Sequence, residues 1–396
     1  VVPQPLTIEA AVLLNQLSVY TRETIIMVTY TNKFKAATVQ AEPVWFDAAA
    51  TVEKTIGLIK EAADNNAQII AFPEVFIPGY PYHIWLDSPF AGMGKFATRY
   101  HEQSLPIDSP LITRIQEAAE NNNICVVIGF SERDGGSLYM SQLIIDEKGE
   151  IVSHRRKLKP THVERTVYGE GDGSDIAVHD MPLGRVGALN CWEHFQTPTK
   201  YAMYAMHEQI HIAAWPGMSL YQPEVFAFSS EAQLVATQMY AMEGQTFVLC
   251  STQVVGKAAL EFFCENEMHE KLIGYGGGFA QIFGPDGRPL AERMPADGEG
   301  ILYAEIDLAQ ITMAKQAADP VGHYSRPDVF SLQFNNQAQS PVKRLKDIGK
   351  HIESEEVFSS VSQVTGPGLT YSLEAPGLSL QKPLVQHERV NGHKES

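Results

Sequence analysis

Cys191 stands at the end of the apolar run Val186-Gly187-Ala188-Leu189-Asn190, and a helical pattern follows from Phe195 to Met206. The run reads as a buried strand. A strand-to-helix corner suits a thiol nucleophile. The strand fixes its position, and unpaired amides at the corner lower its pKa and stabilise negative charge on a reacting atom. The other reading is a small buried hydrophobe, which is what most free cysteines are. Two further segments bear on the choice. The apolar run Ile69-Ile70-Ala71-Phe72 stops at Pro73-Glu74, and turn residues follow in Pro78-Gly79-Tyr80-Pro81. A carboxyl at the end of a buried strand is poorly solvated, which raises its pKa and fits it to take a proton from a thiol. A solvated loop glutamate would lack that property. The basic stretch from His154 to Lys159, continuing through Pro160-Thr161-His162-Val163-Glu164, offers the third group. It either guards a strand edge against aggregation or sets one lysine beside the cysteine as a cation for developing negative charge.

Phe72-Pro73-Glu74, Arg155-Arg156-Lys157 and Leu189-Asn190-Cys191-Trp192-Glu193-His194, in this order, resemble the motifs of the nitrilase superfamily of carbon–nitrogen hydrolases. The resemblance runs from about Phe34 to about Phe330. Cys-Trp-Glu-His, Pro-Gly-Tyr-Pro-Tyr, Lys-Pro-Thr-His-Val-Glu-Arg and Tyr-Gly-Glu-Gly-Asp-Gly are similar to the true nitrilase branch, near bacterial aliphatic and aromatic nitrilases. Amidase branches usually carry other residues after the cysteine. The resemblance implies that Glu74 is the base, Cys191 the nucleophile and Lys157 the catalytic lysine. Glu164 matches a second glutamate near the triad, expected to orient Lys157 or a water. Only one of Lys157 and Lys159 can serve the site, and an extended path is expected to turn the two to opposite faces. Tyr80, His162, Tyr168 and Trp192 fall where the family places pocket residues; core packing is the alternative for each.

The implied reaction is hydrolysis of a nitrile to a carboxylic acid and ammonia through a thioimidate and a thioester, without a cofactor. An amidase with the same triad is the alternative, as is an enzyme hydrolysing or hydrating cyanide. Two readings come from other classes. A papain-like pairing of Cys191 with His194 suffers from the short spacing, and a non-catalytic assembly protein would leave the motifs unexplained. The family also implies a homo-oligomer built from dimers that stack into spirals.

Strand-like runs lie at Lys35–Gln40, Ile69–Phe72, Ile124–Gly129, Leu138–Asp146, Ile151–His154 and Asp175–His179. Others lie at Arg185–Asn190, Ile210–Ala214, Thr246–Thr252, Gly278–Phe283 and Ile301–Glu305. Helical periodicity over Ala48–Asn65, capped by Asp47, and over Pro110–Asn121 and Ser229–Glu243 separates several of them. This alternation predicts an α/β layered fold. Hairpin-type turns at Lys148-Gly149 and Asp286-Gly287 predict mixed sheets. The family fold, an α-β-β-α sandwich of two facing sheets, agrees. Gly276-Gly277-Gly278 lacks the lysine and helix of a phosphate loop and reads as a tight turn.

With 396 residues, 44% of them hydrophobic, the chain can bury a large core. One catalytic domain is expected over residues 27–332, with an extension at 1–26 and a polar tail at 333–396. Met27 stands where nitrilases normally start. A net charge of −17 argues against a nucleic-acid partner. The four cysteines, Cys125, Cys191, Cys250 and Cys264, and the histidines show no metal-ligand spacing. Cysteines in apolar runs suit a reducing cytoplasm. No apolar run approaches the ~20 residues that span a bilayer, so no membrane partner is expected.

Overall fold

The computed structural model describes residues 33–340 and 342. The expected extension at 1–26, the start at Met27 and most of the polar tail lie outside the described residues. Among the described residues eleven strands are present: β1 (Lys33–Ala41), β2 (Ala67–Ala71), β3 (Cys125–Asp134), β4 (Ser137–Ile145), β5 (Ile151–Arg156) and β6 (Val178–Met181), followed by β7 (Gly184–Asn190), β8 (Ile210–Trp215), β9 (Phe247–Gln253), β10 (Gln281–Phe283) and β11 (Gly300–Asp307). Hydrogen bonding runs in the order β5-β4-β3-β2-β1-β9-β8-β7-β6, with β11 on β1 and β10 on β9.

The path consists of two sheets joined at one seam. Only Gln40–Thr252 and Ala41–Gln253 link β1 to β9. Beyond that seam the halves separate and face one another. Alternate residues of a strand point to opposite faces, and the buried clusters sort accordingly. Ala36, Ile69 and Val127 from one sheet pack with Val186, Ile212 and Leu249 from the other. The next residues along the first sheet, Ala37, Ile70 and Val126, pack with Val52, Ile59 and Ile115 of helices Ala48–Asp64 and Pro110–Asn122. Leu189, Ala213 and Val248 on the second sheet pack with Met203 and Tyr240 of helices Thr197–Ala205 and Ser230–Gly244. The architecture is an α-β-β-α sandwich of mixed sheets. Among the described residues no helix is long and apolar enough to cross a membrane.

The long helices begin where local chemistry directs. The Asp47 carboxylate accepts from Ala50 N at 2.9 Å, and Ser109 and Ser229 cap the other two. Three details differ from expectation. The strand expected at Asp175–His179 starts at Val178, because the Asp175 carboxylate turns back to accept from Asp172 N and Arg156 N. The strand expected from Gly278 starts at Gln281, since Gly276 and Gly277 hold left-handed backbones and Ala280 N donates to the Gln40 side chain. The Asp286-Gly287 turn closes only a short bridge from Phe283 to Pro289, and β11 instead pairs with β1. The Lys148-Gly149 turn does join β4 to β5.

Candidate active site

Three sharp corners at strand ends bring the reactive groups together. Glu74 follows β2, Lys157 follows β5, and Cys191 follows β7. Residues in or beside these corners adopt left-handed backbones without being glycine: Val75 at φ 45°, His162 at 47° and Cys191 itself at 46°. Such conformations cost energy and persist only where the surroundings enforce them. At the first corner the enforcement includes a glycine on β3. A Cβ on Gly129 would stand 2.5 Å from Pro73 O and 2.6 Å from Val75 N, so only glycine lets the Glu74 turn lie on that strand.

Glu74, Lys157, Glu164 and Cys191 are all buried. Lys157 Nζ donates to Glu74 Oε1 at 2.9 Å and to Glu164 Oε2 at 2.8 Å. A carboxylate oxygen of each glutamate and Cys191 Sγ lie within 4.8 Å of one another. Among the described residues this is also the one group of acidic and thiol side chains close enough to hold a metal. The Lys157 ammonium already stands between the two carboxyl groups and bonds to both. Glu164 is itself held in place: Tyr80 donates to Oε1 at 2.8 Å, and Thr161 N donates to Oε2 at 2.5 Å. Gln253 Nε2 donates to Glu74 O at 2.6 Å and to Val75 O at 3.1 Å, pinning the base's backbone.

Burial raises the Glu74 carboxyl above the ordinary range, and the pull of Lys157 only partly offsets this. Burial alone would strip the Lys157 proton, but Glu164 and Glu74 beside it reverse the effect and keep it an ammonium. The Cys191 thiol is pushed well up, first by burial and then by Glu74, against Lys157 and the Trp192 N–H that points at the sulfur. The expectation of a corner that lowers the thiol's pKa is therefore corrected. At rest the sulfur holds its proton, and a base must remove it as the sulfur attacks.

Lys159 is exposed and pairs with Glu170. Residues two apart on a strand share a face, so strand alternation does not separate it from Lys157. The strand ends at Arg156, and a bend at Leu158–Lys159 turns the second lysine outward. A cavity of about 290 Å³ beside the nucleophile's corner is lined by His162, Trp192, Thr161 and Leu158 among others. Tyr80 and Tyr168 are not in its wall. Tyr80 bridges Trp85 and Glu164, while the Tyr168 hydroxyl meets that of Tyr100. Tyr100 lines a second cavity of about 660 Å³, whose wall includes none of the four reactive residues.

The glutamate of Cys-Trp-Glu-His carries a role the sequence does not announce. Glu193 Oε1 accepts from Arg155 Nη2 at 2.7 Å and from Leu158 N at 2.8 Å, and Oε2 accepts from Asn190 N at 2.7 Å. One buried carboxylate thus ties the cysteine corner to the lysine corner. Burial works against its charge, but Arg155 outweighs this and holds the pKa below the ordinary range. Gln253 likewise carries no motif and belongs to a strand distant in sequence. The available signal was the polar run Ser251-Thr252-Gln253 ending a strand that begins apolar.

Residues 35–316 match the carbon–nitrogen hydrolase family. The chain is 70% identical to an aliphatic nitrilase of Rhodococcus rhodochrous over 80% of its own length and 86% of that protein's. It is 50% identical to a nitrilase of Pseudomonas syringae, covering 82% of the chain and 96% of the relative. Among solved structures it resembles a carbon–nitrogen hydrolase of Helicobacter pylori with a TM-score of 0.59 at 18% identity, over 75% of this chain and 96% of that one. The C. elegans NitFhit protein gives a TM-score of 0.58 at 17% identity, over 79% and 69%. The chain belongs to the carbon–nitrogen hydrolase family. Within that family it lies in the nitrilase branch, close to the bacterial nitrilases.

Proposed function

We propose that the protein hydrolyses a nitrile to the carboxylic acid and ammonia, with Cys191 as nucleophile, Glu74 as base and Lys157 as the charge-stabilising cation. The buried Lys157 ammonium bridging Glu74 and Glu164 beside the Cys191 sulfur supports the covalent route, and the identity to relatives named nitrilases carries the choice of a nitrile over an amide. Glu74 takes the thiol proton while sulfur bonds to the nitrile carbon, and that proton passes to nitrogen to give a thioimidate. Water adds at the same carbon, the carbon–nitrogen bond breaks, and ammonia leaves behind a thioester. A second water releases the acid and restores the thiol. A nitrile carbon is a poor electrophile toward water and a better one toward a soft sulfur, which is why a covalent route helps. Lys157 and the Trp192 N–H meet the charge that develops on nitrogen and later on oxygen. Glu164 fixes Lys157 through its hydrogen bond.

Relatives named as aliphatic nitrilases, at 70% and 54% identity, favour aliphatic nitriles as substrates. A panel of aliphatic, aromatic and arylacetonitriles with their amides, assayed for ammonia and acid, tests this. Aliphatic nitriles should give acid and ammonia fastest. Faster release from the matching amides would make the protein an amidase, and turnover confined to cyanide would point to the cyanide reading.

The domain is proposed to span residues 27–332 and the enzyme to work in the cytoplasm, where its four free thiols stay reduced. Dimers stacking into larger homo-oligomers are proposed as its working state. The net charge of −17 opposes self-contact, so assembly needs complementary patches and responds to salt. Light scattering should show species larger than a dimer whose size shifts with ionic strength; a monomer at micromolar concentration would refute the proposal.

A further inference from the structure

Four buried side chains that the reaction above does not use form a continuous hydrogen-bonded chain ending on the backbone of Cys191. His194 Nδ1 lies 2.6 Å from Cys191 O, and His194 Nε2 lies 2.9 Å from His211 Nε2. His211 Nδ1 lies 2.8 Å from Glu208 Oε1, and the Tyr240 hydroxyl donates to Glu208 Oε2 at 2.7 Å. Tyr240 stacks on His211 at 3.7 Å between ring centroids, and Trp215 stacks on His194 at 5.0 Å. A Cβ on Gly187 would stand 2.2 Å from Glu208 Oε1, so it is the glycine in the nucleophile's own strand that admits this carboxyl.

The proton positions follow from one end. A carbonyl only accepts, so His194 Nδ1 carries hydrogen and, in the neutral ring, Nε2 is bare. His211 must then carry hydrogen on Nε2. The link between His211 Nδ1 and Glu208 therefore holds one more proton, on either atom. If that proton leaves, the Glu208 carboxylate takes the Nδ1 hydrogen of neutral His211, and His211 Nε2 becomes bare. His194 must then present hydrogen at Nε2, and its bare Nδ1 faces the Cys191 carbonyl at 2.6 Å. The last contact turns from attraction to repulsion, at a residue already held in a left-handed backbone.

We propose that Glu208, acting through His211 and His194, is a positioning residue that holds the Cys191 turn while the chain keeps this proton, and that losing it sets an alkaline limit on turnover. The proposal rests on Cys191 being the nucleophile. Burial pushes the Glu208 carboxyl up to about 8, and burial carries both imidazoles well below their ordinary range. The charged and titratable groups facing the chain are Arg155 and Glu193 toward His211, Lys200 and Glu193 toward His194, and Tyr204 and Tyr240 toward Glu208.

The test compares the full-length wild type with Glu208→Gln and Glu208→Leu, measuring kcat and KM for one nitrile from about pH 6 to about pH 10, with thermal melts alongside. Glutamine keeps a donor toward His211 and an acceptor toward Tyr240 but has no proton to lose. Its kcat should match wild type at neutral pH and stay level where the wild type declines, near pH 8. Leucine should lower kcat by about a hundredfold with KM little changed. A glutamine variant as impaired as leucine, or one that retains the wild-type alkaline decline, overturns the proposal. Should the leucine variant fail to fold, the alkaline limb of the glutamine variant alone decides. Failure of the nucleophile assignment would show separately, as acyl trapping away from Cys191 in the wild type.

Discussion

Cys191→Ala is expected to abolish turnover, by a factor on the order of 10⁶, while the protein still folds. The buried sulfur is the group that bonds to the nitrile carbon in the first step and stays bonded through the thioimidate and the thioester, and no water in its place can form the thioimidate. Alanine carries the same Cβ as cysteine, so the left-handed backbone at φ 46° is no more strained than before. The loss of one buried atom should cost roughly 1 kcal/mol. Mass spectrometry of the wild type held with a slow substrate should find the acyl group on Cys191. Thiol acidity does not single it out, because burial raises Cys125, Cys191 and Cys250 alike, and Cys264 to about 11. What distinguishes Cys191 is a carboxylate oxygen of Glu74 within 4.8 Å and the ammonium bonded to it. An adduct on one of the other three thiols, or an active alanine variant, would remove Cys191 from the mechanism.

Lys157→Met is expected to lose at least about a thousandfold in kcat, since it removes the cation that meets charge on the former nitrile nitrogen. It should also destabilise the fold by about 3–5 kcal/mol, because two buried carboxyl groups lose the cation that pairs them. The pH dependence of that loss has a definite sign. Lys157 lowers the Glu74 pKa in the wild type, so its removal leaves burial to raise it further. A carboxyl whose folded pKa exceeds its unfolded one binds more protons when folded, and its stabilisation falls as pH rises. The melting-temperature gap between variant and wild type should therefore stay level below about pH 8, where both folded forms keep the Glu74 proton, and widen above it, where only the variant goes on losing stability. Lys159→Met removes one arm of an exposed pair with Glu170 and should change both stability and activity little. The opposite pattern would exchange the roles of the two lysines, and a gap that widens on acidification would contradict the buried-carboxylate account.

Much of this protein was legible before any coordinates. Hydrophobic runs of period two or continuous apolar character marked the strands. The capping residue Asp47 marked where the first long helix starts, because this signal arises from local backbone chemistry. Glu74 and Cys191 were readable because each stands at the end of an apolar run, where a polar side chain needs an explanation; Lys157 and Glu164 were placed by the resemblance to the family's motifs. The fine bounds were less legible. The start of β6 is set by the Asp175 side chain accepting from the remote Arg156 N, and the start of β10 by the remote Gln40 side chain accepting from Ala280 N.

By itself the sequence determined the α/β class and most of the strands and long helices, since periodicity and residue type are properties of short segments, while the resemblance to the family's motifs supplied the facing sheets and the expected reactive groups. Tertiary structure decided everything that depends on distance between segments. It set which lysine reaches the carboxylates, through a bend after β5 rather than through strand alternation. It showed that Glu193 clamps the cysteine corner to the lysine corner, and that Glu208 and His211, from β8 and the turn before it, reach the nucleophile's backbone through His194. It also reversed the expected direction of the thiol's pKa. Burial is a sum over every element packed around Cys191, and no single stretch of chain contains it.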